Sequence, residues 1–355
     1  MGLTNQSTGS SILESEFRIE RMNLDDKVIA LAGNPNVGKS TVFNSLTGMN
    51  QHTGNWPGKT VTNAQGRYKH RDKDFILVDI PGTYSLMANS AEEEVARDFI
   101  LFGNPDATVI VTDATCLERN LNLVLQTLEI TPNAVVCLNL LDEAKRKRIR
   151  IDLKELSNQL GVPVIGTSAR NGEGLEDLMD AVNDVTGKKT LTSPLIIIYD
   201  DTIEEAIDIL ETPIKKILGD KLNSRWVALK LLDGDSTLIK SIEKYINVDL
   251  ANDMNVLNKL NEAKEMMLSK GINHEIFCDK IVSHLVFKAE KIFSKSVTLE
   301  NDKYNSTDRK IDSILASKTF GIPIMLGLLC VIFWITITGA NYPSELLANF
   351  LFHIE

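Results

Sequence analysis

The residues best suited to chemistry form a glycine-rich segment directly after an apolar, β-branched run. The segment has the pattern GxxxxGK[ST], with the residues Gly33, Asn34, Pro35, Asn36, Val37, Gly38, Lys39 and Ser40. Backbone N–H groups of such a loop, and of the helix that follows it, surround a diphosphate; the lysine contacts the β- and γ-phosphates and the hydroxyl ligates Mg²⁺. The pattern predicts a nucleotide polyphosphate site that continues into Thr41 at the helix start.

Two further segments predict which base is bound. The first ends a predicted strand and comprises Asn139, Leu140, Leu141 and Asp142, and the second follows the next strand and comprises Thr167, Ser168 and Ala169. A carboxylate accepts hydrogen bonds from N1–H and the 2-amino group of guanine, donors that adenine lacks, so Asp142 predicts GTP over ATP. A backbone amide of the second segment could contact the guanine carbonyl. Leu140 stands where this motif usually has lysine, so packing of a lysine stem on the base is not expected.

Two more segments have the composition of γ-phosphate sensors. One ends a strand with Asp79, Ile80, Pro81 and Gly82, which places Asp79 near the metal and the Gly82 amide near the terminal phosphate. The other is a glycine-rich and flexible loop, Gly54 to Thr60. The predicted GTP-binding residues here are Gly58, Lys59, Thr60 and Val61, the last of which follows the loop. Thr60 is the candidate third Mg²⁺ ligand beside Ser40 and Asp79, although it could also be a plain strand residue. Loops held only by a γ-phosphate and its metal are released on hydrolysis, so these segments predict a switch.

Hydrolysis is expected to be slow. The catalytic candidates are Lys39, Thr60 and Gly82, but Thr83 stands where many GTPases have a glutamine that orients the attacking water. The Asn36 side-chain oxygen could help to hold K⁺ against the phosphates and so supply the charge of an arginine finger.

The elements that must position these residues alternate in type. Short β-branched runs at 28–32, 75–78, 108–112, 134–138 and 162–165 alternate with amphipathic stretches up to residue 186. That alternation predicts an α/β fold with a mostly parallel sheet and helices on both faces. An additional strand at 66–70 is joined to the 75–78 strand by a short charged turn, so the two should form an antiparallel hairpin at one edge.

Composition and spacing divide the rest of the chain. The 355 residues carry a formal charge of -10, which argues against a nucleic-acid partner, and four dispersed cysteines suit a reducing compartment. Amphipathic spacing at 203–217, 226–232, 257–267 and 276–293 predicts an all-helical second domain. We expect a flexible leader at 1–26, a GTP-binding domain (the G domain) at 27–187, a helical spacer domain at 188–312, a transmembrane helix with its flank at 313–342 and a truncated tail at 343–355.

The transmembrane prediction depends on an uncharged run. No residue between Lys318 and Glu345 is charged, and Gly321 to Ile337 is densely apolar, which is long enough to cross a hydrocarbon core. Basic residues precede this run and none follows it, so the G domain is expected on the cytoplasmic side of the cell membrane.

With these motifs in place, the chain resembles the N-terminal part of the bacterial ferrous iron transport protein B (FeoB) family, over residues 27–347. The resemblance is carried by the glycine-rich segment 33–40, here called the phosphate loop, and by the segments 54–61, 79–86, 113–115, 118–121, 139–144, 225–232 and 321–324. It implies a Ras-like G domain, a helical domain described as slowing GDP release, K⁺-stimulated hydrolysis through Asn36, and a membrane permease for Fe²⁺. The implied partners are guanine nucleotide, the membrane, a transporter pore, small Feo accessory proteins and further copies of the chain.

The resemblance also predicts a longer assembly. A single helix cannot enclose an ion path, so the pore is expected either in the rest of a longer protein or in another subunit. No residue of this sequence is an arguable iron ligand, so the Fe²⁺ expectation depends on the resemblance, whereas the GTP expectation depends on residues.

Parts of the sequence are also compatible with two other functions and one other site. A soluble ribosome- or RNA-assembly GTPase would share the phosphate loop, but the acidic charge and the missing basic RNA module disfavour it. An ATP-driven transporter subunit is disfavoured by Asp142. His274 and Cys278 are spaced four apart on a predicted helix, as metal ligands can be, but two ligands without convergent partners indicate a structural role.

Overall fold

The computed structural model describes residues 17, 19, 21, 23, 25–48, 51–56, 62–87, 90–299, 315, 317 and 321–352, with backbone alone for 51–55, 62, 63, 338 and 340–352. Two compact units divide the chain, Met1–Thr298 and Leu299–Glu355. The nucleotide motifs lie in the first unit.

The first unit is built around a seven-stranded sheet. The strands of the chain are β1 (Lys27–Gly33), β2 (Gln51–Asn55), β3 (Thr62–His70), β4 (Lys73–Asp79), β5 (Ala107–Asp113), β6 (Ala134–Asn139), β7 (Ile149–Ile151), β8 (Val164–Gly166) and β9 (Val297–Leu299). The order in the sheet is β2-β3-β4-β1-β5-β6-β8. The pairs β1–β4, β1–β5, β5–β6 and β6–β8 are parallel, and β2–β3 and β3–β4 are antiparallel. The predicted mixed, mostly parallel sheet with an edge hairpin is confirmed.

Strand β1 is central because its residues are apolar on both faces. Val28 and Ala30 are buried in one hydrophobic core, and Ile29 and Leu31 in a second core on the opposite face. Alternate residues of a strand point to opposite faces, so a run without polar alternation requires cover on both sides. The helices α1 (Lys39–Thr47), α2 (Ala91–Phe102), α3 (Leu117–Ile130), α4 (Leu141–Arg146), α5 (Leu153–Leu160) and α6 (Leu175–Thr186) belong to this part of the unit.

The predicted all-helical domain follows the sheet. Its helices are α7 (Asp201–Leu218), α8 (Ser224–Asp233), α9 (Ser236–Ile246), α10 (Met254–Ser269) and α11 (His274–Ser296). The spacing rule found four of them and missed α9. Ile203 and Leu210 of α7 belong to the same buried core as Val28 and Ile110 of the sheet, so the G domain and the helical domain share one hydrophobic core.

A small second sheet connects the end of the helical domain to the G domain. Strand β9 follows α11 directly and pairs with β7, and the Asp152 amide donates to the Ser296 carbonyl at 2.8 Å. Neither short strand was predicted.

The second unit contains α12 (Gly321–Phe352). The predicted transmembrane segment at 313–342 lies partly outside the described residues. Among the residues that the structure describes, no helix has both the length and the apolar character needed to cross a membrane.

Candidate nucleotide-binding site

Four of the predicted nucleotide motifs meet at the carboxyl edge of the parallel strands. The phosphate loop follows β1, Asp79 ends β4, Asn139 ends β6 and Thr167 follows β8. Register pairs Leu31 with Asp79 and Leu138 with Gly166, so neighbouring strands end side by side. In open α/β sheets this edge is where ligands bind. The sheet therefore brings these segments together as the sequence predicted.

The phosphate loop requires glycine at both glycine positions of the GxxxxGK[ST] pattern for steric reasons. A Cβ on Gly33 would lie 2.6 Å from the Val111 carbonyl oxygen, and one on Gly38 would lie 2.4 Å from Nδ2 of Asn139. Gly38 also has a φ of 84°, in the left-handed region that glycine adopts without strain. Helix α1 begins directly after it, so the helix N-terminus, with its unpaired amides, faces the loop. This is the backbone arrangement that binds phosphate.

Lys39 and Asp79 form an ion pair in this structure. Nζ of Lys39 donates to the Asp79 carboxylate and, at 2.7 Å, to the Ile80 carbonyl oxygen. Burial raises the pKa of the Asp79 carboxyl, and the charge and hydrogen bond of Lys39 partly offset that rise. The predicted phosphate-binding lysine and the predicted metal-binding carboxylate are therefore adjacent and compensate each other's charge.

The side chain of Asn139 joins the phosphate loop to the segment after β8. Its Nδ2 donates to the Val37 carbonyl at 3.0 Å, and its Oδ1 accepts from the Thr167 hydroxyl at 3.2 Å and the Ala169 amide at 3.1 Å. Only 1% of the residue is exposed. Asn139 therefore positions the two loops, and the second N–H of its Nδ2 is not used by these bonds.

The three backbone amides of the segment after β8 form hydrogen bonds within the protein. The Thr167 amide donates to the Leu138 carbonyl, the Ser168 amide to the Glu173 carbonyl and the Ala169 amide to Asn139, so all three amides are used within the protein. The contact of one of these amides with the guanine carbonyl stays a prediction.

Asp142 is the available carboxylate at the predicted base site. Its amide lies 3.3 Å from the Ser168 hydroxyl oxygen, which accepts, and its carboxylate faces Arg146 at 3.7 Å with about a third of the side chain exposed. Leu140 has a φ of 61°, a left-handed conformation that turns the chain from β6 into α4 and places Asp142 in the first turn. Leu141 follows, and its amide donates to the Thr167 carbonyl at 3.2 Å.

The segment after Asp79 runs along the phosphate loop. The Ile80 amide donates to the Leu31 carbonyl and the Thr83 amide to the Gly33 carbonyl, both at 3.2 Å. A Cβ on Gly82 would come within 3.5 Å of Pro35, so Gly82 lies against the loop. Thr83 is 5% exposed, and Pro81 is half-buried.

The remaining predicted residues divide into described and undescribed ones. Ser40, Thr41 and Asn36 are exposed at the loop and the start of α1, and the Asn34 side chain is buried. Gly58, Lys59, Thr60 and Val61 lie outside the described residues. Gly54 and Asn55 belong to β2 and pair with β3, so the predicted loop begins later than expected, because backbone pairing with a neighbouring strand extends the sheet through polar residues.

Two residues that hold the segment after Gly82 were missed by sequence reasoning. Oε1 of Gln126, on α3, accepts from the Leu86 amide at 2.7 Å and from the Ser85 hydroxyl at 3.1 Å. Nζ of Lys230, on α8, lies 2.9 Å from the Met87 sulfur. A lysine within the apolar run 226–232 is a signal that could have identified Lys230, since a buried charge needs partners.

Comparison with known proteins identifies relatives of both parts of the first unit. Residues 27–182 match the family model described as ferrous iron transport protein B, and residues 199–298 match that of the FeoB cytosolic helical domain. The chain is 32% identical over 322 residues to the Fe(2+) transporter FeoB of Salmonella typhimurium, covering 89% of this chain and 39% of the relative. It is 31% identical over 344 residues to a Porphyromonas gingivalis Fe(2+) transport protein A/Fe(2+) transporter FeoB fusion protein, covering 95% and 40%. The chain thus spans about two fifths of these relatives' length.

Solved structures extend the likeness to the fold. A mutant S. thermophilus NFeoB bound to GDP is 31% identical, with a TM-score of 0.64, and the match covers 77% of this chain and 100% of that one. The cytosolic domain of the T. maritima FeoB iron transporter in its GMPPNP form is 30% identical, with a TM-score of 0.61, covering 77% and 99%. The predicted fold class and family resemblance are confirmed.

Proposed function

The chain belongs to the ferrous iron transport protein B family, and we propose that it is the GTP-binding and GTP-hydrolysing cytoplasmic switch of a membrane transporter for ferrous iron. It is a P-loop GTPase with a Ras-like G domain followed by a helical domain. The observation that carries the proposal is the convergence of the phosphate loop, the Asp79 segment and Asp142 on one edge of the sheet.

In this proposal the phosphate loop binds the polyphosphate and Asp142 selects guanine. Lys39 exchanges part of its contact with Asp79 for the β- and γ-phosphates, which carry more negative charge than one carboxylate. Asp142 accepts from the two guanine donors, while Asn139 and Ser168 hold the loops that place it. Loss of such a hydrogen-bonded match leaves a carboxylate unpaired, so discrimination against ATP is steep.

The donors near the phosphates fit Mg²⁺. The Ser40 hydroxyl and the Asp79 carboxylate are hard oxygen ligands, which Mg²⁺ prefers, and Thr60 is proposed as the third ligand. When bound, the ion would neutralise charge that develops on the phosphates. For K⁺, the exposed Asn36 amide supplies one oxygen, and Oδ1 of Asn34 is a buried acceptor without a hydrogen-bond partner among the described residues. We expect slow intrinsic hydrolysis, because Thr83 stands where many GTPases have a glutamine that orients the attacking water.

The transport role concerns a longer assembly than this chain. Relatives named as Fe(2+) transporters are more than twice as long, so iron transport, the pore, the accessory proteins and a homo-oligomer are proposed rather than read from these residues. We further propose that the uncharged run after Lys318 crosses the membrane, with the G domain on the cytoplasmic side. The domain division at residues 187 and 312 is likewise a proposal. Membership of the transport family favours this function over a ribosome-assembly GTPase.

A change of base preference tests the assignment. Asp142→Asn replaces an acceptor by an amide that matches the 2-carbonyl of xanthine, so we expect GTP affinity to fall by about a hundredfold or more and XTP affinity to rise. The matched control is Glu143→Gln, because Glu143 also pairs with Arg146, at 3.3 Å, but is not placed at the base site. The measurement is competition of GTP, XTP and ATP against a fluorescent guanine nucleotide. Unchanged GTP affinity in Asp142→Asn, or equal losses in both variants, would contradict the assignment.

A further inference from the structure

Three metal-ligating side chains converge on the helical domain, outside the nucleotide site. Asp233 is the last residue of α8, His274 is the first residue of α11, and Cys278 lies one turn further along α11. One donor atom from each residue lies within 4.8 Å of the others. The sequence suggested no site here because His274 and Cys278 lacked a third ligand, which the fold supplies from 41 residues upstream.

The separations of these donors fit one small ion. Zn–N and Zn–S bonds of about 2.0 and 2.3 Å at a tetrahedral angle place nitrogen and sulfur about 3.5 Å apart. Sγ of Cys278 lies 3.9 Å from Nδ1 of His274, 3.7 Å from its Nε2 and 3.3 Å from Oδ1 of Asp233. These separations are close to the value for a tetrahedral site.

The histidine is oriented for ligation. Nε2 of His274 lies 2.8 Å from the Asp233 carbonyl oxygen, which can only accept, so Nε2 carries the hydrogen and Nδ1 has the lone pair. A backbone carbonyl that fixes the second ring nitrogen is the usual support of a metal-bound histidine. Both α8 and α11 are held by the buried core of the helical domain, which keeps the three positions fixed.

The local charges are compatible with a cation. The Cys278 thiol donates a hydrogen bond to Oδ1 of Asp233 at 3.3 Å, so its S–H proton lies between sulfur and oxygen. A metal ion replaces this proton between sulfur and oxygen, and the proton leaves to solvent. Oδ2 of Asp233 is held separately by Lys230 at 3.3 Å, so Oδ1 is the oxygen directed at the cluster.

We propose that Asp233, His274 and Cys278 bind a divalent transition-metal ion on the helical domain. A thiolate, an imidazole and a carboxylate select Fe²⁺, Co²⁺ or Zn²⁺ over Mg²⁺ and Ca²⁺, and three protein ligands leave one coordination position for water. Lys230 contacts both Asp233 and Met87, so the site is one side chain away from the segment after Gly82. This site goes beyond the proposed GTPase function and does not depend on it.

The test is a Co²⁺ titration of the purified, tag-free and reduced full chain without nucleotide. Thiolate ligation gives an intense sulfur-to-Co²⁺ charge-transfer band, and we expect one equivalent of Co²⁺ to produce it and Zn²⁺ to remove it. The phosphate-loop donors are oxygens, so Co²⁺ bound there gives no such band.

Two ligand variants and two controls complete the experiment. Cys278→Ser should abolish the band, and His274→Ala should weaken Co²⁺ binding by about tenfold or more. Cys116→Ser removes an exposed thiol elsewhere, and His284→Gln removes another histidine of α11, so both should retain the band and the affinity. Circular dichroism checks that each variant is folded. Absence of the band in the unchanged chain, its persistence in Cys278→Ser, or its equal loss in Cys116→Ser would overturn the proposal.

Discussion

Replacement of Asn139 by alanine tests whether one buried side chain couples the phosphate loop to the base-binding segment. Asn139→Ala removes three hydrogen bonds and leaves the Val37 carbonyl and the Ala169 amide without their partner. Each buried group left unsatisfied costs about 1–3 kcal/mol, so we expect the free energy of unfolding to fall by about 3–5 kcal/mol. That is a large part of the usual 5–15 kcal/mol, but it leaves the protein folded.

Nucleotide binding should weaken as well, because the ligand must then order both loops. If about half of the loss falls on binding, roughly 2 kcal/mol, GDP affinity decreases about 30-fold. Titration with a fluorescent guanine nucleotide measures the Kd, and urea denaturation measures stability. Both are needed because unfolded protein would also bind poorly.

Asn120→Ala is the matched control for this change. Asn120 is equally buried, and it accepts from the Asp113 amide at 2.9 Å and donates to the Cys116 carbonyl at 3.2 Å, within the β5–α3 connection. We expect a comparable loss of stability with a GDP affinity within about twofold of the unchanged chain. A folded Asn139→Ala protein with normal affinity, or an equal loss of affinity in Asn120→Ala, would refute the coupling.

Two further predictions concern the contact between the G domain and the helical domain. Burial raises the pKa of Glu129 to about 7 from 4.5, although the Tyr199 hydroxyl donates to this carboxyl group at 2.9 Å. The folded state therefore binds more protons than the unfolded state between these pH values. The free energy of unfolding should fall by on the order of 2–3 kcal/mol as pH rises from about 4.5 to 7. Glu129→Gln should flatten this dependence in urea unfolding between pH 5 and 8, and equal slopes for both proteins would contradict it. Arg97 is fully buried and donates to Asp235 at 2.9 Å, so Arg97→Met should lower the free energy of unfolding by about 3–5 kcal/mol by leaving buried carboxylates unpaired. A loss below 1 kcal/mol in the same urea assay would show that these charges are solvated.

The sequence predicts the strands and helices whose burial is visible in the local pattern of apolar residues. Strand β1 and helix α7 were found because continuous apolar runs and three-and-four spacing are direct consequences of burial on two faces or on one. Helix α9 has the same signal in Leu238 and Ile242, with Asp235 capping its first turn, and could have been found. Strands β2, β7 and β9 could not, because their residues are polar or few and their pairing depends on partners far along the chain.

For the candidate site, the positions of the motifs could be predicted from the sequence, but their hydrogen bonds could not. The motifs that follow strand ends were located because parallel strands bring their carboxyl ends to one edge. The hydrogen-bond partners were not located, because they depend on the packing of segments far apart in the chain. The sequence does not indicate that Asn139 bonds to Val37 through Nδ2 and to the Ala169 amide through Oδ1. The proximity of Asp233 and His274 could not be predicted either, because it depends on how α8 and α11 pack.

The helical domain contacts the segment after Gly82, for which we propose a role in sensing the γ-phosphate. Lys230 of α8 contacts Met87, a few residues after Gly82, while Gln126 of α3 holds the same segment from within the G domain. Helix α2 begins at Ala91 beyond this segment, and its Arg97 is anchored to the α8–α9 connection through Asp235. We expect a movement of this segment on loss of the γ-phosphate to break or remake its contact with α8. Because the two domains also share one hydrophobic core, we expect the helical domain to respond to such a movement.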